Sequence, residues 1–213
     1  MAAESRKISI ERSRLLRWLQ NFAVRHGEPS ATLHDQQLAL AAPDGAEAMI
    51  TVPFPPLSES TGSLQQRLVD HVLLDRRVGV ILVRRGGFGV GLFDGDRLLG
   101  HKTGTGYVQG KTKAGGWSQQ RYARRRDNQA RQLYQKASAA VSELLLPAVD
   151  DLAAVVGGGD RAGVLAALEP AELTPIKELL QPRLLPVPDP RLRVLEEFAD
   201  QFLGVEIELN ELA

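Results

Sequence analysis

VGVILVRRGGFGVGLFDGDRLLGHKTG, Val78 to Gly104, is the stretch that decides how this chain folds. Three runs rich in β-branched, leucine and aromatic side chains, at 78–85, 88–94 and 97–104, are separated by Gly86-Gly87 and by Asp94-Gly95-Asp96. Tight hairpin turns need residues that accept positive φ, and Gly and Asp supply them. The reading is a three-stranded antiparallel meander. The glycines of GGFGVG, 86–91, do not make a dinucleotide fingerprint, because Leu92 stands where the third glycine belongs and strand rather than helix follows. Asp94 and Asp96 serve the turn rather than a metal.

Downstream, helical periodicity runs from about Gln119 to Leu145, with Ala130, Leu133, Ala137, Val141 and Leu144 on one stripe and arginines filling the first half. Pro147 stops it. LAAVVGGG, 152–159, reads as a buried strand, Arg161 to Leu168 as a short helix, and Ile176 to Leu180 as another ordered piece. An extended LLPVPDP, a helix from Arg191 to Phe202 and a strand VEIEL complete the tail.

Upstream, Leu15, Leu16, Leu19, Phe22 and Ala23 form the apolar stripe of a helix from Ile10 to His26, stopped by Gly27. TLHDQQLAL and AMITVPF read as two short strands around the turn at Pro43-Asp44-Gly45. PFPPLSESTGS then breaks the chain before a helix from Leu64 to Asp75. This Pro-rich stretch is the expected boundary between a helix-and-hairpin segment, 1–60, packed on the core, and a main domain, 61–213. The class is α/β: a mixed β-sheet with an antiparallel meander, flanked by helices.

Composition narrows the function. The chain has 213 residues, 43% of them hydrophobic and 24% charged, so it has the length and balance to bury a core. There is no Cys, which excludes thiolate nucleophiles, Cys-based zinc sites and disulfides, and fits a cytoplasmic location. Charges fall in every turn of MAAESRKISIERSRLLRW, and no later stretch supplies the roughly 18 uninterrupted apolar residues of a membrane helix. Neither export nor membrane association is expected. His26, His34, His71 and His101 are scattered, with no His-x-x-x-His pair and no Gly-x-Ser-x-Gly elbow, so neither a metal nor a cofactor is implied.

Lys plus Arg and Asp plus Glu both number 26, yet the balance conceals polarity. From Arg97 to Lys136 ten basic residues face one acid, Asp127, a net of +9 that leaves −9 for the rest of the chain. A basic patch in a neutral protein points to a phosphate-bearing partner met locally, with the acidic remainder repelling a polyanion elsewhere. Within the patch lies GTGYVQGKTKAGGWSQQRYARRRDNQ, with five glycines between Gly104 and Gly116 and no carboxylate before Asp127. Glycines let a backbone approach a ligand, lysines reach phosphates, and a helix start near Ser118 adds free N–H groups and a positive dipole end. Arg121, Arg124 and Arg125 oppose that dipole unless an anion is present.

The block KTKAGGWSQQRYARRRDNQ, placed after a hairpin meander and at the head of a long basic helix, resembles the catalytic domain of release-factor-like peptidyl-tRNA hydrolases. These are the VLRF class in its shorter actinobacterial form, similar in turn to the central domain of eukaryotic and archaeal class I peptide chain release factors. The resemblance covers roughly Arg77 to Leu168 and implies an RNase H-like sheet topology. In that family a Gly-x-x-Gln loop replaces Gly-Gly-Gln, and Gly116-Trp117-Ser118-Gln119 matches it.

The resemblance therefore implies Gln119 as the catalytic residue, with Gly116 and Ser118 beside it. Lys111, Lys113, Arg121, Arg124, Arg125 and Arg126 become the RNA-binding set. It also implies peptidyl-tRNA on the large ribosomal subunit as substrate and partner, a monomer, and rescue of stalled nascent chains. A glutamine suits an already activated ester: it is no general base near neutral pH, but its amide both donates and accepts, so it orients a water or holds an oxyanion. Gln120 follows at once and Gln109 shares the loop; motif spacing favours Gln119. Trp117 and Tyr122 could stack on terminal bases of tRNA or anchor the helix to the sheet. Without zinc fingers, ankyrin-like repeats or room for a codon-reading domain, stop-codon decoding is not expected. Endonucleolytic cleavage near the tRNA 3′ end, or noncatalytic ribosome or RNA binding, are the alternative functions.

Overall fold

A computed structural model describes residues 5–106 and 117–213, with the backbone alone at 117–123, 125 and 126. The chain divides into two compact units, Met1–Leu74 with Leu203–Ala213, and Asp75–Phe202. The division therefore falls at the end of the second helix rather than at the Pro-rich stretch, and the tail strand belongs with the N-terminal residues.

The first unit is an antiparallel five-stranded sheet carrying two helices. With elements numbered along the whole chain, its strands are β1 (Arg6–Ile10), β2 (Ser30–His34), β3 (Gln37–Ala41), β4 (Glu47–Thr51) and β10 (Val205–Leu209), in the order β1-β10-β4-β3-β2. Helices α1 (Leu15–His26) and α2 (Leu64–Leu73) cover it. Leu15, Leu19 and Phe22 of α1 and Leu68, Val69 and Val72 of α2 share one buried core with Leu38, Leu40, Ile50, Val205 and Ile207.

Two local expectations are corrected here, and one strand is new. TLHDQQLAL is not one strand: Asp35 takes φ 51 and folds it into the β2–β3 hairpin, pairing His34 with Gln37. The α-helix begins at Leu15 after a 3-10 turn at Arg12–Arg14, not at Ile10. RKISI is a strand whose partner, β10, lies two hundred residues away, paired Arg6 to Leu209. Buried His71 is structural: its Nε2–H donates to the Pro53 carbonyl at 2.7 Å while Nδ1 accepts from Ser58 N–H at 3.1 Å, fixing the Pro-rich stretch to α2.

The second unit contains the meander, as expected: β5 (Arg77–Arg84), β6 (Gly87–Asp94) and β7 (Arg97–Thr105), antiparallel throughout. Helix α3 (Trp117–Leu144) and a 3-10 stretch (Leu146–Asp151) lead to β8 (Ala154–Gly159), then α4 (Arg161–Ala167), a 3-10 turn (Ala171–Leu173), α5 (Thr174–Glu178), β9 (Leu180–Leu185) and α6 (Leu192–Phe202). The order is β7-β6-β5-β8-β9, with β8 parallel to both β5 and β9. An antiparallel meander followed by a helix and two parallel strands is the RNase H-like arrangement implied by the resemblance, and the class is α/β.

Strand alternation gives this sheet two buried faces. Ile81, Val83, Phe88, Val90 and Val155 meet Leu133, Ala137 and Val141 of α3 and Val164 of α4. On the other face Leu195 of α6 lies beside Gly89 and Gly91, Phe198 beside Gly158, and Phe202 edge-on to Phe93 at 5.3 Å. No helix among the described residues is long and apolar enough to cross a membrane.

Candidate functional site

The meander brings the chain to the turn end of the β5–β6 hairpin and fixes it there. A Cβ on Gly104 would meet the Phe88 ring at 2.4 Å, and one on Gly87 would meet the Gly104 carbonyl at 2.5 Å, so β6 and β7 approach closely only because both residues are glycine. One residue beyond β7, Gly106 N–H donates to the Gly86 carbonyl at 3.1 Å. A Cβ on Gly106 would stand 2.8 Å from Leu133 Cδ1. The departing strand is therefore pinned to the middle of α3. Sequence reading missed this contact, since no local pattern links residues 106 and 133.

Helix α3 begins at Trp117. Trp117 lies about 24 Å along the helix axis from Leu133, at about 1.5 Å per residue. Leu133 is the first buried residue of α3 among those with described side chains; Arg124, Asp127, Asn128, Arg131 and Gln132 are exposed. None of the described side chains of the first half is buried, and the second half anchors the helix. Ser138 Oγ reinforces the anchor, reaching the Ala167 carbonyl of α4 at 2.8 Å.

Ser118 and Gln119 fall in the first turn of α3, where backbone N–H groups have no intrahelical acceptor and no acidic residue is present. Arg121, Arg124, Arg125 and Arg126 follow over the next two turns, and the Arg124 side chain is exposed. Gly116, Lys111 and Lys113, with Gln109, lie outside the described residues. Of the basic window, Lys102 is engaged within the fold by Glu143 of α3 at 2.5 Å, whereas Arg97, Arg131 and Lys136 remain exposed. Positive charge thus gathers in the first half of α3, whose start also carries the positive end of the macrodipole.

Beside the anchored half, Arg131, Tyr134, Gln135, Ser138 and Glu169 line a groove of about 360 Å³. Burial, with Asp160 nearby, pushes the Tyr134 hydroxyl pKa up, so it stays a neutral donor. Among the described residues no group of three or more His, Asp or Glu side chains is placed to hold a metal ion.

Comparison with known proteins bears on residues 76–208, which match the family model described as Actinobacteria/chloroflexi VLRF1 release factor. Over 133 residues the chain is 32% identical to peptide chain release factor subunit 1 of Aeropyrum pernix, a match covering 61% of this chain and 36% of that protein. The chain thus spans about a third of its curated relative. Among solved structures, an archaeal translation termination factor, aRF1, aligns with 92% of this chain and 66% of its own, at 18% identity and a TM-score of 0.45. A structure described as an archaeal protein aligns at 18% identity and a TM-score of 0.39, covering 92% of this chain and 64% of its own. The family match takes in the meander, the GxxQ block, the whole of α3 and the sheet that anchors it, and by that match this chain belongs to the Actinobacteria/chloroflexi VLRF1 release factor family.

Proposed function

We propose that this protein hydrolyses the ester bond of peptidyl-tRNA on the large ribosomal subunit, freeing stalled nascent chains, with Gln119 as the catalytic side chain. The observation that supports the reading is that Trp117, Ser118 and Gln119, preceded in sequence by Gly116, open a basic helix in a release-factor-family chain. Water attacks the ester carbonyl carbon, the bond to the ribose 3′ oxygen breaks, and that oxygen leaves with a proton, giving a peptide carboxylate and a tRNA with an intact 3′ end. The Gln119 amide orients the attacking water or holds the developing oxyanion, and backbone N–H groups of the first helical turn supply further donors. The substrate's 2′-hydroxyl can relay the proton. Lys111, Lys113, Arg121, Arg124, Arg125 and Arg126 hold the tRNA end and the surrounding ribosomal RNA by their phosphates.

The test is peptide release from purified large subunits carrying labelled peptidyl-tRNA, following both peptide and tRNA 3′ end. Gln119→Ala is expected to slow release roughly 100-fold, the loss typical of one oxyanion donor, while Gln120→Ala changes it little. A shortened tRNA would mean nuclease action instead. Equal release by wild type and Gln119→Ala would overturn the assignment of Gln119. Binding without any release would leave a ribosome-binding module.

A further inference from the structure

The first unit carries a basic surface that the whole-chain charge balance conceals. Between Arg6 and Gly27 there are six basic residues and a single acid, Glu11, and from Arg12 to Gly27 there is no acid at all. Helix α1 sorts these residues: positions 18, 21 and 25 follow the i, i+3, i+7 line of one face, placing Trp18, Asn21 and Arg25 together. Trp18 is half-buried, packed on the core and stacked on Phe22 with ring centroids 5.4 Å apart; Phe22 in turn meets His26 at 4.9 Å. Arg6 of β1 faces this row across a cleft of about 180 Å³, lined by Arg6, Trp18, Asn21, Phe22, Arg25 and His26 among others.

The lining has the parts of a nucleotide site. Arg6 and Arg25 are exposed and have no carboxylate partner among the described residues, so their guanidinium groups are free to fork onto a phosphate. The carboxylate bonded to a lining side chain is Asp44, which His26 Nδ1 holds at 2.8 Å and Ala46 N–H at 3.0 Å. An indole offers a face or edge to a planar base, and the Asn21 amide can both donate to and accept from its polar rim.

The geometry points to a second RNA-binding site in this protein: the α1–β1 cleft takes an unpaired nucleotide of single-stranded RNA, with its base against Trp18 and its flanking phosphates on Arg6 and Arg25. This site is distinct in residues from the GxxQ block and does not depend on the hydrolytic reading. It assigns the N-terminal segment a task of its own, attachment to exposed single-stranded RNA.

The test is binding of a fluorescein-labelled single-stranded RNA oligomer to the full chain across a salt series, with no ribosome present. It is made in wild type and in an Arg124→Glu/Arg125→Glu background that weakens the α3 contribution. Arg6→Ala/Arg25→Ala is expected to weaken binding roughly tenfold in both backgrounds and to reduce the slope of log K against log salt by about 1.4, two phosphate contacts at about 0.7 each. Both arginines are exposed, so this pair preserves the fold. Trp18→Ala is expected to lose at least about fivefold through stacking. Unchanged affinity and slope in Arg6→Ala/Arg25→Ala would overturn the proposal, as would equal competition by poly-glutamate, which would mark an acidic-peptide site. RNA binding is read without any ester, so neither result depends on what Gln119→Ala does to release.

Discussion

Gly159 shows how much one backbone position can decide. It ends β8 at φ 89, and a Cβ there would stand 2.3 Å from the Val83 carbonyl, a backbone atom that cannot step aside. Gly159→Ala is expected to destabilise the second unit by at least about 2 kcal/mol, from left-handed strain plus overpacking, read as a lower urea midpoint. Asp44 gives a pH signature instead. The Ala46 N–H and then the His26 ring hold its carboxyl below the ordinary 3.8, so the unfolded chain takes up the proton first as pH falls. Its stabilisation is present above about pH 4 and is lost as pH drops through the folded value. Asp44→Asn should therefore flatten the acid limb of stability below about pH 4, in denaturant melts at about half-unit steps. At this scale the candidate site was legible unevenly. The proposed Gln119 and its glycine stand three positions apart, a spacing visible in the sequence, while the packing of Gly106 on Leu133 joins residues that no local spacing connects.

Helix α4 is a seven-residue element held by its cap. Asp160 Oδ1 accepts from Ala162 N–H at 3.2 Å, and the helix then lays Gly163 and Val164 against the sheet and α3. Asp160→Ala is expected to cost about 1 kcal/mol, with hydrogen exchange quickening first in α4. Elements with strong periodicity or explicit turn residues were the legible ones: the meander has its Gly-Gly and Asp-Gly turns, and α3 its stripe through Leu133, Ala137 and Val141. The first unit was less so. Asp35 makes a turn with no glycine beside it, because Asp tolerates the left-handed region, and the β2–β3 hairpin therefore reads as one strand. β1 escapes a local reading, because its alternation is carried by Ile8 and Ile10 alone and its partner, β10, lies far along the sequence.

The two units differ in how the chain builds them. The second is continuous, Asp75–Phe202, whereas the first is assembled from residues on either side of it, with β10 seated between β1 and β4. Ending the chain at Phe202 removes the second strand of that sheet and the buried Val205, Ile207 and Leu209. The expected outcome is loss of exchange protection throughout α1, α2 and β1–β4, while β5–β8 keep theirs; hydrogen exchange with mass-spectrometric readout checks it. Whole-chain arithmetic misleads in the same way for charge: a total of zero hides both the 97–136 window and the basic run at 6–27, because sums over sequence ignore which residues share a surface. Interleaving also sets an order of events during translation. Residues 5–74 cannot close their sheet until 203–213 have left the exit tunnel, whereas the intervening unit needs nothing beyond Phe202. Vectorial synthesis therefore finishes the α3-bearing unit first and leaves the N-terminal segment waiting, its apolar strand and helix faces uncovered, for its final strand.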